Sequence, residues 1–174
     1  MTLLAAWAGL WLSVAAPAQP GNFRLSTLDG TEVEFASLRG SVTVVVFLSA
    51  VCPMSNDYAD RFTGLFEKLE GEPVRLVFIN SNRNESIAEI SANAAGNRFP
   101  FPIHRDASGI AADRFLAQVT PTAYVVDSTG AIRYRGAFDD AVNPARVKRR
   151  WVMEAVEALL AGREVTTAAT KPEG

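Results

Sequence analysis

Two apolar runs separated by an amphipathic segment dominate the pattern of hydrophobic and polar positions. The run Val42–Leu48 is nearly continuous in β-branched and aromatic residues, which is typical of a strand buried on both faces of a sheet. A second run, Val74–Ile79, has the same character. Between them, apolar residues recur at helical spacing over Met54–Leu69. The order strand, helix, strand predicts a parallel pair with a right-handed crossover.

Weaker patterns flank this unit on both sides. Residues Phe23–Phe35 have the pattern of two short strands joined at the Asp29–Gly30 turn, which predicts an N-terminal β-hairpin. Ala123–Val126 and Ala131–Gly136 predict a second hairpin, and an apolar stripe over Val147–Leu160 predicts a closing helix. The sequence therefore predicts an α/β fold with a mixed sheet, in which the two apolar runs are central and parallel and the second hairpin is antiparallel to them.

A polar loop, Asn80–Asn84, follows the second apolar run and precedes a predicted helix over Glu85–Ala95. Ligands of open α/β sheets bind at the carboxyl ends of the strands, so this loop and the residues after Leu48 are predicted to border one site. Asparagine and serine are also good turn formers, and the loop is equally well explained as a plain turn.

Length and composition indicate one globular domain. The chain has 174 residues, of which 48% are hydrophobic and 21% charged, and this is enough for a sizeable core. The formal net charge of −2 argues against a nucleic-acid surface, so no nucleic-acid partner is expected.

The two ends of the chain differ from its middle. The apolar segment over residues 1–18 is too short for a comfortable membrane span, and we interpret it as a secretory signal peptide, although no Lys or Arg precedes Arg24. The alternative is a buried or interfacial helix. We expect residues 19–163 to form the domain and residues 164–174, which are polar, to be a disordered tail. A signal peptide implies a periplasmic or other extracytoplasmic location.

The only cysteine, Cys52, lies where the apolar period changes from strand to helix. Free backbone N–H groups at a helix start favour a thiolate and lower the pKa of the thiol. In an exported protein this cysteine has no partner in its own chain, so any disulfide must be intermolecular. The alternative is a structural Cys52 that packs as a small buried hydrophobe.

Five fragments, in this order along the chain, resemble the peroxiredoxin-like redoxins of the alkyl hydroperoxide reductase and thiol-specific antioxidant superfamily: VCPMSNDY, VFINSN, FPFP, VTPTAYVVD and YRGAFDD. The order of elements from about Asn22 to Gly162 also resembles the thioredoxin fold. This resemblance implies a three-layer sandwich, with the mixed sheet flanked by helices. It further implies that Cys52 is a nucleophile, that Thr120 offers its backbone to a substrate chain, and that Pro121 follows a cis peptide bond and packs beside the cysteine.

Departures from these families bear on the chemistry. Thioredoxins carry Cys-x-x-Cys at this junction, whereas here the second position is Ser55. Its hydroxyl can donate a hydrogen bond to a thiolate, but it cannot form the second sulfur bond. Ser49 precedes Cys52 by three residues and mimics the T-x-x-C spacing of peroxiredoxins, although Val45 stands where their proline would be. The buried acid of thioredoxins falls on Val46, so that proton relay is missing.

The first function class that follows is a single-cysteine redox enzyme. Its Cys52 would attack a disulfide-bearing protein or a peroxide, and an external thiol or dithiol would resolve the product. Ser49 and Ser55 are the predicted supporting residues. Pro53, Thr120 and Pro121 are the predicted substrate-binding residues. We expect no cofactor. An arginine such as peroxidases need could be supplied by any of three residues, namely Arg105, Arg133 and Arg135.

The second function class is a non-catalytic binding module or a thiol-dependent chaperone. There Cys52 would hold a partner through a mixed disulfide, or help to bind a soft metal together with Met54 and His104. Copper carriers that resemble this fold usually need two cysteines and a histidine, so no metal site is predicted.

Overall fold

The structure, a computed structural model, describes residues 18–172. The predicted signal segment therefore lies outside the described residues, apart from Ala18. The strands are β1 (Arg24–Ser26), β2 (Glu32–Glu34), β3 (Val42–Phe47), β4 (Val74–Asn80), β5 (Ile103–Arg105), β6 (Thr122–Asp127) and β7 (Ile132–Gly136). The helices of this part are α1 (Pro53–Asp57), α2 (Ala59–Lys68), α3 (Ile87–Gly96), α4 (Ile110–Phe115) and α5 (Trp151–Leu160), with short 3-10 turns at Phe35–Leu38 and Pro144–Arg146.

One seven-stranded sheet, in the order β2-β1-β5-β4-β3-β6-β7, forms the middle layer. At its centre β3 and β4 are parallel, with Val42 opposite Val74 and Phe47 opposite Ile79. On its other side β3 pairs antiparallel with β6, and β6 continues into β7. The predicted mixed sheet and N-terminal hairpin are confirmed. The structure also has a short strand after the FPFP segment, β5, which pairs parallel with β4.

Every residue of β3 is buried because both faces of the sheet are covered. One face packs against α2, α3 and α5, with buried residues that include Phe62, Ile90 and Val156. The opposite face packs against the N-terminal hairpin and α4, through residues that include Phe23 and Phe115. These two cores complete the three-layer arrangement that the resemblance implied.

The predicted helix after Cys52 is divided at Tyr58 into α1 and α2. A buried ion pair ties this junction to the loop after β7. Arg61 Nη1 lies 2.7 Å from Asp139 Oδ2, and the Tyr58 hydroxyl donates to the same carboxylate. The Arg61 guanidinium also lies over the Tyr58 ring, 4.0 Å from its centroid. The geometry of the loop around Asp139 therefore depends on one buried charge pair.

Beyond α5 the chain returns to the sheet edge. The amide of Arg135 in β7 donates to Ala168 O at 3.1 Å, and the amide of Thr170 donates to Arg135 O at 3.0 Å. The sequence predicts disorder for residues 164–174, but residues 168–170 lie along β7 instead. The reason is that an edge strand offers unpaired backbone groups that even a polar segment can satisfy. No helix within residues 18–172 is long and apolar enough to cross a membrane.

We expect Asp139→Asn to lower the free energy of unfolding by about 3 kcal/mol, because it leaves the Arg61 charge buried without its ion partner. The matched control is Glu157→Gln, which breaks a half-exposed pair with Lys68 at 3.9 Å. Such a surface pair contributes about 0.5 kcal/mol or less. Urea denaturation measures the free energy of unfolding of each variant. Equal decreases in Asp139→Asn and Glu157→Gln would show that the Arg61–Asp139 pair contributes no more than a surface pair.

Candidate active site

The loop between β3 and α1 carries the cysteine to the carboxyl edge of the sheet. Cys52 is the N-cap residue of α1, and Pro53 occupies the first turn, where a missing N–H costs nothing. The Cys52 side chain is partly exposed. The thiol is therefore accessible to solvent.

The segment before β6 faces the thiol. The Thr120–Pro121 peptide bond is cis, which confirms the prediction made for it. Antiparallel pairing sets Thr122 opposite Phe47, so the start of β6 lies next to the end of β3. Consequently Cys52 Sγ lies 3.2 Å from Thr120 O, to which the thiol donates.

The surroundings of Cys52 lower the pKa of its thiol. Partial burial acts in the other direction and raises the pKa. It is outweighed by hydrogen bonds from the Thr120 side chain, from the backbone and hydroxyl of Ser55, and from the Met54 backbone. The Thr120 carbonyl oxygen opposes ionisation, since it accepts only from the protonated thiol. The balance favours the thiolate relative to an ordinary cysteine.

Ser55 occupies the position of the missing second cysteine and is buried. Its Oγ accepts from the Ser49 amide at 3.2 Å, which leaves the hydroxyl proton available to another acceptor. Hydrogen bonding by this side chain is one of the causes that lower the pKa of Cys52. The Ser49 side chain does something different from what its spacing suggested. Its hydroxyl donates to Glu85 rather than to the sulfur.

Glu85 is the residue at the site that sequence reasoning missed. Its side chain is buried, with 4% exposure. Burial raises the pKa of this carboxyl, but hydrogen bonds outweigh it and lower the pKa overall. The described donors to the carboxylate are the Ser49 hydroxyl, the amides of Ala50 and Val51, and the side-chain amides of Asn80 and Asn82. The only sequence signal was its position after a polar loop at a strand end.

The Asn80–Asn84 loop borders the cysteine loop, as predicted. Asn82 Nδ2 lies 2.7 Å from Glu85 Oε1 and 3.4 Å from Ser49 Oγ. Behind this loop, buried Arg105 donates to Asn80 Oδ1 at 2.8 Å and to the backbone oxygen of Glu85 at 3.2 Å. A positive charge thus lies behind the buried carboxylate, with Asn80 between them.

The other two candidate arginines lie elsewhere. Arg133 pairs with Asp127, which is opposite Val42 at the far end of β3 from Cys52. Arg135 lies on the edge strand β7, beside the C-terminal segment. The structure therefore brings only Arg105 of the three to this edge of the sheet, and its hydrogen bonds go to the Asn80–Glu85 segment.

The structure does not bring His104 together with Cys52 and Met54, the three residues considered above for a soft metal. His104 is buried next to Ile103, and the two adjacent strand residues point to opposite faces of the sheet. Ile103 belongs to the same core as Met54, so His104 faces the other one. Among residues 18–172 no group of three or more His, Cys, Asp or Glu side chains could hold a metal ion.

A cavity of about 290 Å³ opens beside the thiol site. It shares Ser49 and Thr120 with that site, and every residue that lines it is uncharged: Phe47, Ser49, Ser81, Asn82, Ala112, Ala117, Gln118, Val119 and Thr120. Groups that enter from this side of Cys52 therefore meet a neutral surface.

Comparison with protein families agrees with this geometry. The model of the AhpC/TSA family matches residues 15–135, which include Cys52, Glu85 and the cis peptide bond. The chain belongs to the AhpC/TSA family. No curated protein matches the sequence.

Several solved structures are similar to this chain. A hypothetical protein from Sinorhizobium meliloti is 26% identical, with a TM-score of 0.78 over 92% of this chain and 91% of that one. An uncharacterized conserved protein from Geobacillus kaustophilus is 24% identical, with a TM-score of 0.78 over 92% and 94%. A secreted Mycobacterium tuberculosis disulfide oxidoreductase is 19% identical, with a TM-score of 0.59 over 80% and 95%. The fold is thus that of the thioredoxin-like redoxins.

We expect Ser55→Ala to raise the pKa of Cys52 by about one unit, because a hydrogen bond to a charged group is worth about 1.5 kcal/mol or more. The pH dependence of alkylation by iodoacetamide measures the shift. Ser37→Ala is the control, since its hydroxyl bonds Glu34 O in the hairpin region. An unchanged profile in Ser55→Ala would show that this hydroxyl does not stabilise the thiolate.

Glu85 should also make stability depend on pH. Since the folded protein lowers the pKa of Glu85, its ionised form adds stability above the unfolded-state pKa of about 4.3, and this stability is lost as the pH falls through the folded-state pKa. Melting temperatures across this range should therefore fall more steeply for the unchanged protein than for Glu85→Gln. Parallel curves would contradict an ionised, hydrogen-bonded Glu85.

Proposed function

We propose that this AhpC/TSA family member is a thiol:disulfide redox protein that uses Cys52 as its single nucleophile. The observation that carries the proposal is the arrangement around the sulfur. Cys52 is accessible, Thr120 O lies 3.2 Å from its Sγ, and Ser55 occupies the resolving position with an oxygen. These features support formation of a mixed disulfide by Cys52, and the alcohol oxygen of Ser55 cannot resolve it.

The reaction divides into two exchanges. The Cys52 thiolate attacks one sulfur of a substrate disulfide, forming a mixed disulfide and releasing the other sulfur as a thiolate. An external thiol then attacks the mixed disulfide, which returns Cys52 as a thiolate and leaves the external thiol bonded to the substrate sulfur. A second external thiol attacks the sulfur of the first external thiol in that bond, which forms a disulfide between the two external thiols and releases the substrate sulfur as a thiolate. In this scheme Thr120 and Pro121, together with Pro53, border the bound substrate chain.

A disulfide substrate is better supported than a peroxide. Peroxidases of related chemistry place an arginine on the thiolate, whereas Arg105 donates to Asn80 and to Glu85 O. Cys52 also stands at the helix start, the position of the first thioredoxin cysteine, and not further into the helix. A peroxide would give a sulfenic acid, which an external thiol reduces. Direct comparison of the two substrates tests this preference.

Cys52→Ser should abolish disulfide reduction in the presence of glutathione, and omission of glutathione should abolish it in the unchanged protein. Because Ser55 lies at the resolving position, Ser55→Cys should create turnover with a dithiol reductant, measured by insulin reduction. Asp57→Cys is the matched control, since it adds a cysteine to the same helix at the wrong spacing.

The outcomes separate the candidate functions. Turnover of hydrogen peroxide that exceeds turnover of the disulfide would replace the disulfide proposal with a peroxidase. If Cys52→Ser leaves every activity and every partner complex unchanged, the redox proposal fails and a non-catalytic binding module takes its place. Equal insulin reduction by Asp57→Cys and Ser55→Cys would contradict the assignment of position 55 as the resolving position.

We also propose that residues 1–18 direct export and that residues 19–163 form the redox domain. The support is the short apolar segment at residues 1–18, most of which precedes the matched family region 15–135. The Mycobacterium tuberculosis structural neighbour is itself described as secreted. Fractionation of cells that express the full chain, compared with a chain from which residues 1–18 are removed, tests this location.

A further inference from the structure

The three residues before Cys52 are held from both sides by side chains outside their own loop. On one side Glu85 accepts from the Ser49 hydroxyl and from the amides of Ala50 and Val51. On the other side the Ala50 carbonyl accepts from Asn93 at 3.2 Å. Both faces of one peptide segment, Ser49–Val51, are therefore fixed by the α3 region.

The side chain of Asn56 also binds carbonyl oxygens of the cysteine loop. Asn56 of α1 donates to Ala50 O at 3.0 Å and to Cys52 O at 3.2 Å. Its own side-chain oxygen accepts from Asn93 at 2.8 Å. The amide side chains of α1 and α3 thus bind each other while they bind the loop. A segment with this many directional bonds has little freedom to change its orientation.

The orientation of this segment matters because of Ser55. A hydroxyl has one proton, and the Ser49 amide already donates to Ser55 Oγ at 3.2 Å. The hydroxyl proton is then directed elsewhere. Cys52 is the N-cap residue of α1 and Ser55 is the third residue of that helix, so the sulfur is the nearby acceptor for this proton. If Ser49 turned, its amide would leave Ser55 Oγ and the hydroxyl could rotate away from the sulfur.

We propose that Glu85 is a positioning residue for the Cys52 thiolate. It holds Ser49 so that the Ser49 amide orients the Ser55 hydroxyl toward the sulfur. This inference rests on the proposed function, since it concerns the same thiol. In this role the buried Glu85 carboxylate positions a hydrogen-bond donor, the Ser55 hydroxyl, and does not transfer a proton.

The direction in which the pKa of Cys52 changes in Glu85→Gln distinguishes positioning from a simple effect of the Glu85 charge. A nearby negative charge disfavours a thiolate, so removal of the Glu85 charge by itself would lower the pKa of Cys52. Loss of positioning has the opposite effect because the Ser55 hydrogen bond to the thiolate weakens. Glu85→Gln presents an NH₂ group to a set of donors and cannot keep all of their bonds.

The experiment is the pH profile of Cys52 alkylation in Glu85→Gln. We expect the pKa of Cys52 to rise by about one unit, which reduces the ionised fraction about tenfold below that pKa. Glu89→Gln is the matched control, since Glu89 lies in the α3 capping box with Ser86 and should leave the profile unchanged. The melting temperature shows that each variant is folded.

Two further variants keep the test decisive if Glu85→Gln does not fold. Asn93→Ala removes the Asn93 bonds to Ala50 O and to the Asn56 side chain without any change of charge, and it should also raise the pKa of Cys52. Ser91→Ala, on the exposed face of α3, is its control and should leave that pKa unchanged. In a Ser55→Ala background, Glu85→Gln should have less effect than it has alone, because both act through the same hydroxyl.

The failures are distinguishable. If the unchanged protein already shows an ordinary thiol pKa for Cys52, the proposed function fails. If the pKa of Cys52 is low but stays the same or falls in folded Glu85→Gln and in Asn93→Ala, the positioning role is overturned while the redox proposal stands. A full effect of Glu85→Gln in the Ser55→Ala background would overturn the route through Ser55.

Discussion

The parallel pairing of β3 with β4 is the constraint on which the thiol site depends. Parallel neighbours end at the same edge of the sheet, so the chain after Phe47 and the chain after Ile79 emerge side by side. One of these segments carries the cysteine and the other carries Glu85. A register shift of one residue would turn every side chain of the shifted strand to the opposite face of the sheet. The core that fixes the register therefore also fixes the distance between the carboxylate and the cysteine loop.

A buried carboxylate is tolerated here only because its surroundings are built for it. Removing a carboxylate from water is costly unless donors satisfy its oxygens. Glu85 receives three bonds from the cysteine loop and two from asparagine side chains, and Arg105 lies behind Asn80. The same bonds that stabilise the charge immobilise the loop. Stability and the placement of the thiol thus have one origin.

Much of this architecture could be predicted because it follows from the local pattern of residues along the chain. The continuous apolar run of β3, the change of period at Cys52 and the Thr-Pro-Thr segment each predicted a feature that the structure has. Glu85 could not be found in this way. A glutamate at the start of a helix normally faces water, and only the pairing of distant strands shows that this one is buried. For the same reason the local pattern does not show that His104 is buried.

Two residues of the thioredoxin active site are replaced in this chain. Val46 stands where thioredoxins have their buried acid and Ser55 where they have the second cysteine. A different carboxylate, approached from the neighbouring strand, now lies beside the loop, and the serine supplies a hydrogen bond in place of a sulfur. The most direct test is the thiolate absorbance of the unchanged protein titrated against pH, with Cys52→Ser as the blank. The account predicts a midpoint clearly below the ordinary thiol pKa of about 8.5, and a midpoint at or above that value would contradict it.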